Sequence, residues 1–248
     1  MLKEIIIAIQ SYFKAHRFIK EHKLWKWIII PGIIYTTLFI VSMYFFFKTA
    51  NNFNEWLTLK TGLKTWLDKM HSGLLGFLFT LSALALLIIQ LMLYFSLFKY
   101  VWLIVGSPVF AYLSEKTDAI LNNQEYPFSF AQLLKDMLRG IKIAIRNALW
   151  QTVYIVAILL LSLIPVIGMG APLIALMVEG YYYGFSMLDY NCERRKMNAA
   201  ESIYYIGNHK GLAIGNGLVF YFIHFVPIFA PAYAVIAATL SMHEIKNQ

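Results

Sequence analysis

Residues 147–178 read NALWQTVYIVAILLLSLIPVIGMGAPLIALMV, about 32 residues without a formal charge, interrupted by Ile164-Pro165-Val166-Ile167-Gly168-Met169-Gly170-Ala171-Pro172. A bilayer's hydrocarbon core of about 30 Å takes roughly 20 helical residues, so an apolar run of this length belongs in a membrane. Proline removes amide donors and glycine frees the backbone, which predicts a helical hairpin in place of one helix. Its arms are about 16 residues each, roughly 24 Å at 1.5 Å per residue. Gly211–Met242 repeats the arrangement around Val226-Pro227-Ile228-Phe229-Ala230-Pro231. Turns in water carry Asn, Asp, Ser or charge, and neither tip has any. Both hairpins are therefore expected to enter the membrane and turn back in protein-covered space, where irregular backbone is tolerated, the alternative being short ordinary spans joined by turns in water.

The whole composition agrees. The chain has 248 residues, 60% hydrophobic and 14% charged, against about 25% charged in a soluble domain. That excludes a soluble enzyme, a disordered chain and a disulfide scaffold. Aromatics reach 17%, suited to girdles at headgroup depth. The first uncharged stretch, Trp27–Phe47, reads as one transmembrane helix. Met70–Phe98, continuing past Lys99 to Val105, reads as a second, longer and tilted or projecting. The fold class expected is an all-α integral membrane protein in a single domain, 1–248. It has two long transmembrane helices, two half-penetrating hairpins and amphipathic helices at the interface.

Those amphipathic segments are marked by helical spacing. Leu2–Lys20 places Leu2, Ile5, Ile6, Ile9, Tyr12 and Phe13 on one face, with Ile7 and Phe18 off the pattern. Phe53, Trp56, Leu57 and Leu63 mark another after the first span. Ser107-Pro108 reads as an N-cap and helix start, with a loop at Asn122-Asn123-Gln124. In the helix from Ser129, Lys135, Arg139, Lys142 and Arg146 form one basic stripe. It serves either as cations set among lipid phosphates or as a vestibule for anions.

The net charge is +8, and the basic residues flank apolar spans, which favours anionic headgroups over nucleic acid as the partner. Six Lys or Arg precede Trp27 and four lie in Lys48–Lys69, so the positive-inside tendency places the N-terminus in the cytoplasm. The N-terminus lacks a signal-peptide layout. Cys192 stands alone, and no metal, cofactor or catalytic spacing exists. Gly168-Met169-Gly170 and Gly215-Asn216-Gly217 complete no phosphate-binding fingerprint and read as sites of close helix packing or as hinges. His16, His22, His71 and His209 read as solvated. His224, three residues before Pro227, reads as bonded to freed carbonyls at a hairpin tip, or as part of a pathway. Glu179 interrupts an apolar run. It is either a buried pair or a protonated acid bonded to one of Tyr181 to Tyr183, or else the gate of a translocation path.

Several strings, in order, resemble the CysZ-like sulfate permeases of the etoposide-induced domain family. They are Ser107-Pro108-Val109-Phe110-Ala111-Tyr112-Leu113-Ser114-Glu115-Lys116, Asp189-Tyr190, and Pro227 and Pro231 with Ala234-Val235-Ile236-Ala237-Ala238-Thr239. The resemblance implies a multi-pass protein of the bacterial inner membrane, oligomeric, with two long helices and two half-penetrating hairpins, linked to sulfate uptake. In that family a Gly-Leu-Arg-Arg string before a proline of the first transmembrane helix is implicated in sulfate binding. Counting back from Pro31, it falls here on Lys23, Leu24, Trp25 and Lys26. Lysine lacks arginine's bidentate fork. The function expected is a permease or channel for a small inorganic anion of the sulfate type, with no cofactor. Substrate contacts are expected from Lys23, Leu24, Lys26, Arg139, Lys142 and Arg146, and the gate or pathway from Glu179, His224, Pro165 and Pro227. The alternative is a non-transporting envelope scaffold that organises lipids or partner proteins.

Overall fold

The computed structural model describes residues 1–60, 73, 90, 91, 94, 98–123, 130–162, 167–223, 226 and 228–246. Among them the chain is helical, with turns between. The helices are α1 (Leu2–Glu21), α2 (Lys26–Lys60), α3 (98–105), α4 (Ser107–Asn122) and α5 (Phe130–Ser162). They continue with α6 (Ile167–Arg194), α7 (Ala199–Asn208), α8 (Lys210–Ile223) and α9 (Ala230–Lys246). Two compact units are formed, one by residues 1–36 with 99–248 and the other by 37–98.

Among the described residues, two helices are long and apolar enough to cross a membrane: Lys26–Trp56 and Leu138–Ser162. The first runs beyond the expected end at Phe47, because Lys48 to Asn54 contain neither proline nor glycine to stop it. The second lies where a short arm was expected. The basic amphipathic helix and the first arm are one helix of 33 residues, since nothing between Arg146 and Asn147 breaks the backbone. The expected span from Met70 falls largely outside the described residues, as do Pro165, His224 and Pro227. The break in the first hairpin is shorter than expected: α6 resumes at Ile167 and carries Pro172 inside it. So early in a helix, proline forfeits only one bond beyond the turn whose amides lack partners anyway. The second hairpin has arms of 14 and 17 residues, α8 and α9, against about 15 and 11 expected: α9 takes Pro231 into its first turn and runs on through His243, Glu244 and Lys246, which charge alone does not stop.

In the larger unit α1 lies against α8 and α9. Its buried face is Ile7, Ala8, Ser11, Tyr12, Ala15, Phe18 and Ile19, whereas Leu2, Ile6 and Phe13 are exposed. The residues that seemed to blur the pattern thus belong to the inner face. That face is rich in small side chains, so α8 comes close: a Cβ on Gly215 would stand 2.8 Å from the Ala8 Cβ. Tyr12 Oη donates to the Asn216 carbonyl at 2.8 Å, and Lys14 pairs with Glu244 at 2.7 Å. Glu4 accepts from the Gly211 amide at 3.0 Å, capping α8, and its other oxygen lies 2.8 Å from His209 Nδ1. His16 Nδ1 shares a 2.7 Å hydrogen bond with Tyr233 Oη. Of these two histidines, expected to be solvated, His209 is half-buried and tied to Glu4, while His16 is exposed and makes its bond at the surface. Gly106 is the N-cap of α4, and Ser107, one residue further in, donates to the Ile104 carbonyl at 2.8 Å. Asn123 ends α4 at φ 51°, a left-handed conformation that asparagine tolerates. In the smaller unit Ser42 Oγ meets Tyr94 Oη at 2.5 Å, and Gln90 donates to Asn54 at 3.1 Å.

The closest helix contact is between α6 and α8. A Cβ on Gly184 would fall 2.0 Å from the Ala213 carbonyl oxygen, and one on Gly217 would fall 1.9 Å from that of Gly180. Small residues four apart on both helices allow the backbones to touch. Gly217→Ala is therefore expected to cost at least about 3 kcal/mol and abolish recovery of monodisperse protein by size exclusion. Gly207, whose added Cβ would meet nothing within 4 Å, is the control. Gly207→Ala on α7 should raise stability by about 0.5–1 kcal/mol.

Candidate functional site

The α6–α8 contact sets Glu179 and Tyr221 face to face, and α3 and α5 supply the remaining partners. Lys99 Nζ donates to Glu179 Oε2 at 2.5 Å, Tyr221 Oη donates to the same oxygen at 2.6 Å, and Gln151 Nε2 donates to Oε1 at 2.5 Å. Tyr100 Oη donates in turn to Gln151 Oε1. Lys99 also approaches Tyr221 Oη at 3.3 Å and lies 5.1 Å from the Tyr100 ring centroid. The Lys99 side chain is 5% exposed and that of Glu179 16%. A charge this deep is costly unless paired and hydrogen-bonded, and this one is both.

Of the readings open for Glu179, the buried pair is formed, with Lys99. The phenol that donates to it is that of Tyr221, while the Tyr183 ring stacks on Phe220 at 3.6 Å. Sequence reasoning missed Lys99, Gln151, Tyr100 and Tyr221. A signal existed: Lys99 and Glu179 are each the lone charge in a long apolar run, and opposite lone charges in a low-dielectric interior seek one another.

The basic stripe of α5 does not act as one surface. Arg139 turns inward, with Nη2 3.0 Å from Asp189 Oδ1 and Nη1 3.6 Å from Glu193 Oε1. Ser202 also donates to Asp189, and burial pushes that carboxyl above its ordinary value against the pull of Arg139. Lys135 and Lys142 are exposed. Arg146 donates to Asn147 Oδ1 at 2.9 Å and lines an open cleft with Lys210. Cys192, next to this network, is buried, and burial pushes its thiol up to about 11.

Lys23, Leu24 and Lys26 form the α1–α2 turn. The Leu24 amide donates to the Ile19 carbonyl at 3.1 Å and the Lys23 amide to that of Lys20 at 3.4 Å. This is a Schellman closure with Lys23 at φ 53°. The family's glycine thus falls on a left-handed backbone position. Leu24 is buried, while Lys23 and Lys26 are exposed. Lys23 precedes the helix, so it shares no helical face with Lys26. The Trp27 and Ile28 amides are already bonded to the Leu24 and Trp25 carbonyls. The structure therefore gathers neither the α5 cations nor the turn lysines around Glu179.

Two outcomes follow. Lys23→Gly relieves the left-handed strain and should raise stability by about 1 kcal/mol in denaturant titration. With its thiolate suppressed, Cys192 should resist N-ethylmaleimide at neutral pH in folded protein and react on denaturation.

A family model described as sulfate transporter CysZ/etoposide-induced protein 2.4 matches residues 11–234. A Pseudomonas fluorescens (strain Pf0-1) protein named "Sulfate transporter CysZ" is 22% identical over 220 residues, covering 86% of this chain and 83% of that protein. With the family model spanning α1 to α9, the chain belongs to the CysZ/EI24 family.

Proposed function

We propose that the chain is a permease or channel for a small inorganic oxyanion of the sulfate type, multi-pass in a bacterial inner membrane and self-associating. The observation that carries this reading is the donor set around Glu179. An ammonium, a phenol and a primary amide converge on one carboxylate in a site largely withdrawn from water. A tetrahedral oxyanion shedding its hydration needs the same combination of charged and neutral donors. In this reading Glu179 is an internal stand-in for the anion. A passing anion displaces it from Lys99, and the displaced carboxylate swings aside or takes a proton. The exposed Lys23, Lys26 and Lys142 raise the local anion concentration outside. Leu24 anchors the turn, and Arg139 braces α5 against α6. Re-entry suits α8–α9, whose arms of 14 and 17 residues are short for a crossing.

Uptake of labelled sulfate into proteoliposomes tests this. Lys99→Met should lower uptake about tenfold or more, since it strands a buried carboxylate. The double variant Lys99→Met/Glu179→Gln removes both charges; it should fold and still not transport. Glu179→Gln should insert normally but alter the rate and flatten its dependence between about pH 5 and 8. Lys26→Gln should weaken uptake more than Lys20→Gln on α1. Absence of uptake by the parent protein would favour the scaffold.

A further inference from the structure

The cleft holding Arg146 and Lys210 has a volume of about 460 Å3 and is walled by α5, α6 and α8. Its character changes along its length, and contacts between neighbouring helices fix the levels. Asn147 Nδ2 reaches Ser186 Oγ at 3.4 Å and the Arg146 guanidinium stands 5.8 Å from the Phe185 ring centroid, while Gln151 meets Glu179. Thus α5 and α6 are antiparallel, and Arg146 is level with the later turns of α6. Gly184 rests on Ala213 and Gly180 on Leu218, so α8 also runs antiparallel to α6 and begins, at Lys210, at that same end. Both cations therefore stand at one end. Ile174 and Met177 stand at the other, with Trp150 and Tyr154 between. Ile174 is 48% exposed and Met177 44%.

A small hydrated anion has no use for an apolar wall, and a neutral amphiphile leaves two neighbouring cations uncompensated. We propose that this cleft binds one anionic glycerophospholipid, its phosphate between Arg146 and Lys210 and an acyl chain along Ile174 and Met177. The bond to Asn147 uses one of the five guanidinium donors and holds the Arg146 fork in place. The aromatic middle suits the ester region of a lipid, where amphipathic rings are favoured. This site uses neither Lys99 nor Glu179, so it stands apart from the transport reading.

The test is thermal unfolding and native mass spectrometry of the full chain in a non-phospholipid detergent. The probes are dioleoylphosphatidylglycerol, dioleoylphosphatidylethanolamine, sodium sulfate and sodium phosphate, at matched ionic strength. The phosphatidylglycerol should bind saturably, one per chain, and raise the melting temperature; the other three should not. Arg146→Gln and Lys210→Gln should each weaken it about fivefold. Ile174→Asn, remote from both cations, should weaken it as well. Lys210 and Ile174 are surface positions, so their variants fold and keep the test decisive. Equal binding of the ethanolamine lipid, or phosphatidylglycerol binding indifferent to both cations, would overturn the proposal. So would the same stabilisation by free sulfate or phosphate, insensitive to Ile174.

Discussion

Two helix backbones can touch only where no Cβ stands between them, and the larger unit is organised around one such place. Gly184 on α6 meets Ala213 on α8, and Gly217 on α8 meets Gly180 on α6, at distances that leave no room for a methyl group on Gly184 or Gly217. The polar cluster around Glu179 depends on that approach. Glu179 and Tyr221 flank it, and their 2.6 Å bond exists because the axes are so close. With α6 and α8 fixed, α5 brings Gln151 to the second carboxylate oxygen and α3 brings Lys99 to the first.

A buried ion pair is a poor way to gain stability. Desolvating two charges costs several kcal/mol each, and an apolar pair of similar volume is often as stable. What such a pair does well is resist being half-made: removal of one partner strands the other. In a membrane protein that property suits a position where an external ion can take the place of one partner. The Arg139, Asp189 and Glu193 cluster has a different character. It joins α5 to α6, has two acids on one guanidinium, and acts as a brace.

Much of this was legible in the sequence. The proline-containing stretches near 165 and 227 marked where the described helices end and resume, and the first arm of the second hairpin came out close to its observed length, whereas the second was expected at about 11 residues and has 17. Close packing at Gly215-Asn216-Gly217 was legible as well. Formal charge was a poorer guide. Reading each charge as the end of a buried stretch divided α5 at Arg146 and stopped the second arm before Glu179, although a helix runs unbroken through both. The inner face of α1 was misread because its signal lies in small residues, Ala8, Ser11 and Ala15, which hydrophobic periodicity underweights. Lys23 illustrates a further limit: no local feature of a lysine announces a left-handed backbone, and only the closure of the α1–α2 turn reveals it.

The carboxylate of Glu4 caps a helix that begins more than 200 residues later, at Lys210. At ribosomal speeds of about 5–20 residues per second, the first helix waits roughly ten to forty seconds before its partner exists. Through that interval its inner face of Ile7, Tyr12 and Phe18 is uncovered, and its outer face of Leu2, Ile6 and Phe13 is apolar as well. Such a segment cannot stay in water. It has to rest on the membrane surface, where lysines at 3, 14 and 20 can lie among phosphates, until the last hairpin arrives. Assembly therefore finishes when α8 and α9 close over α1.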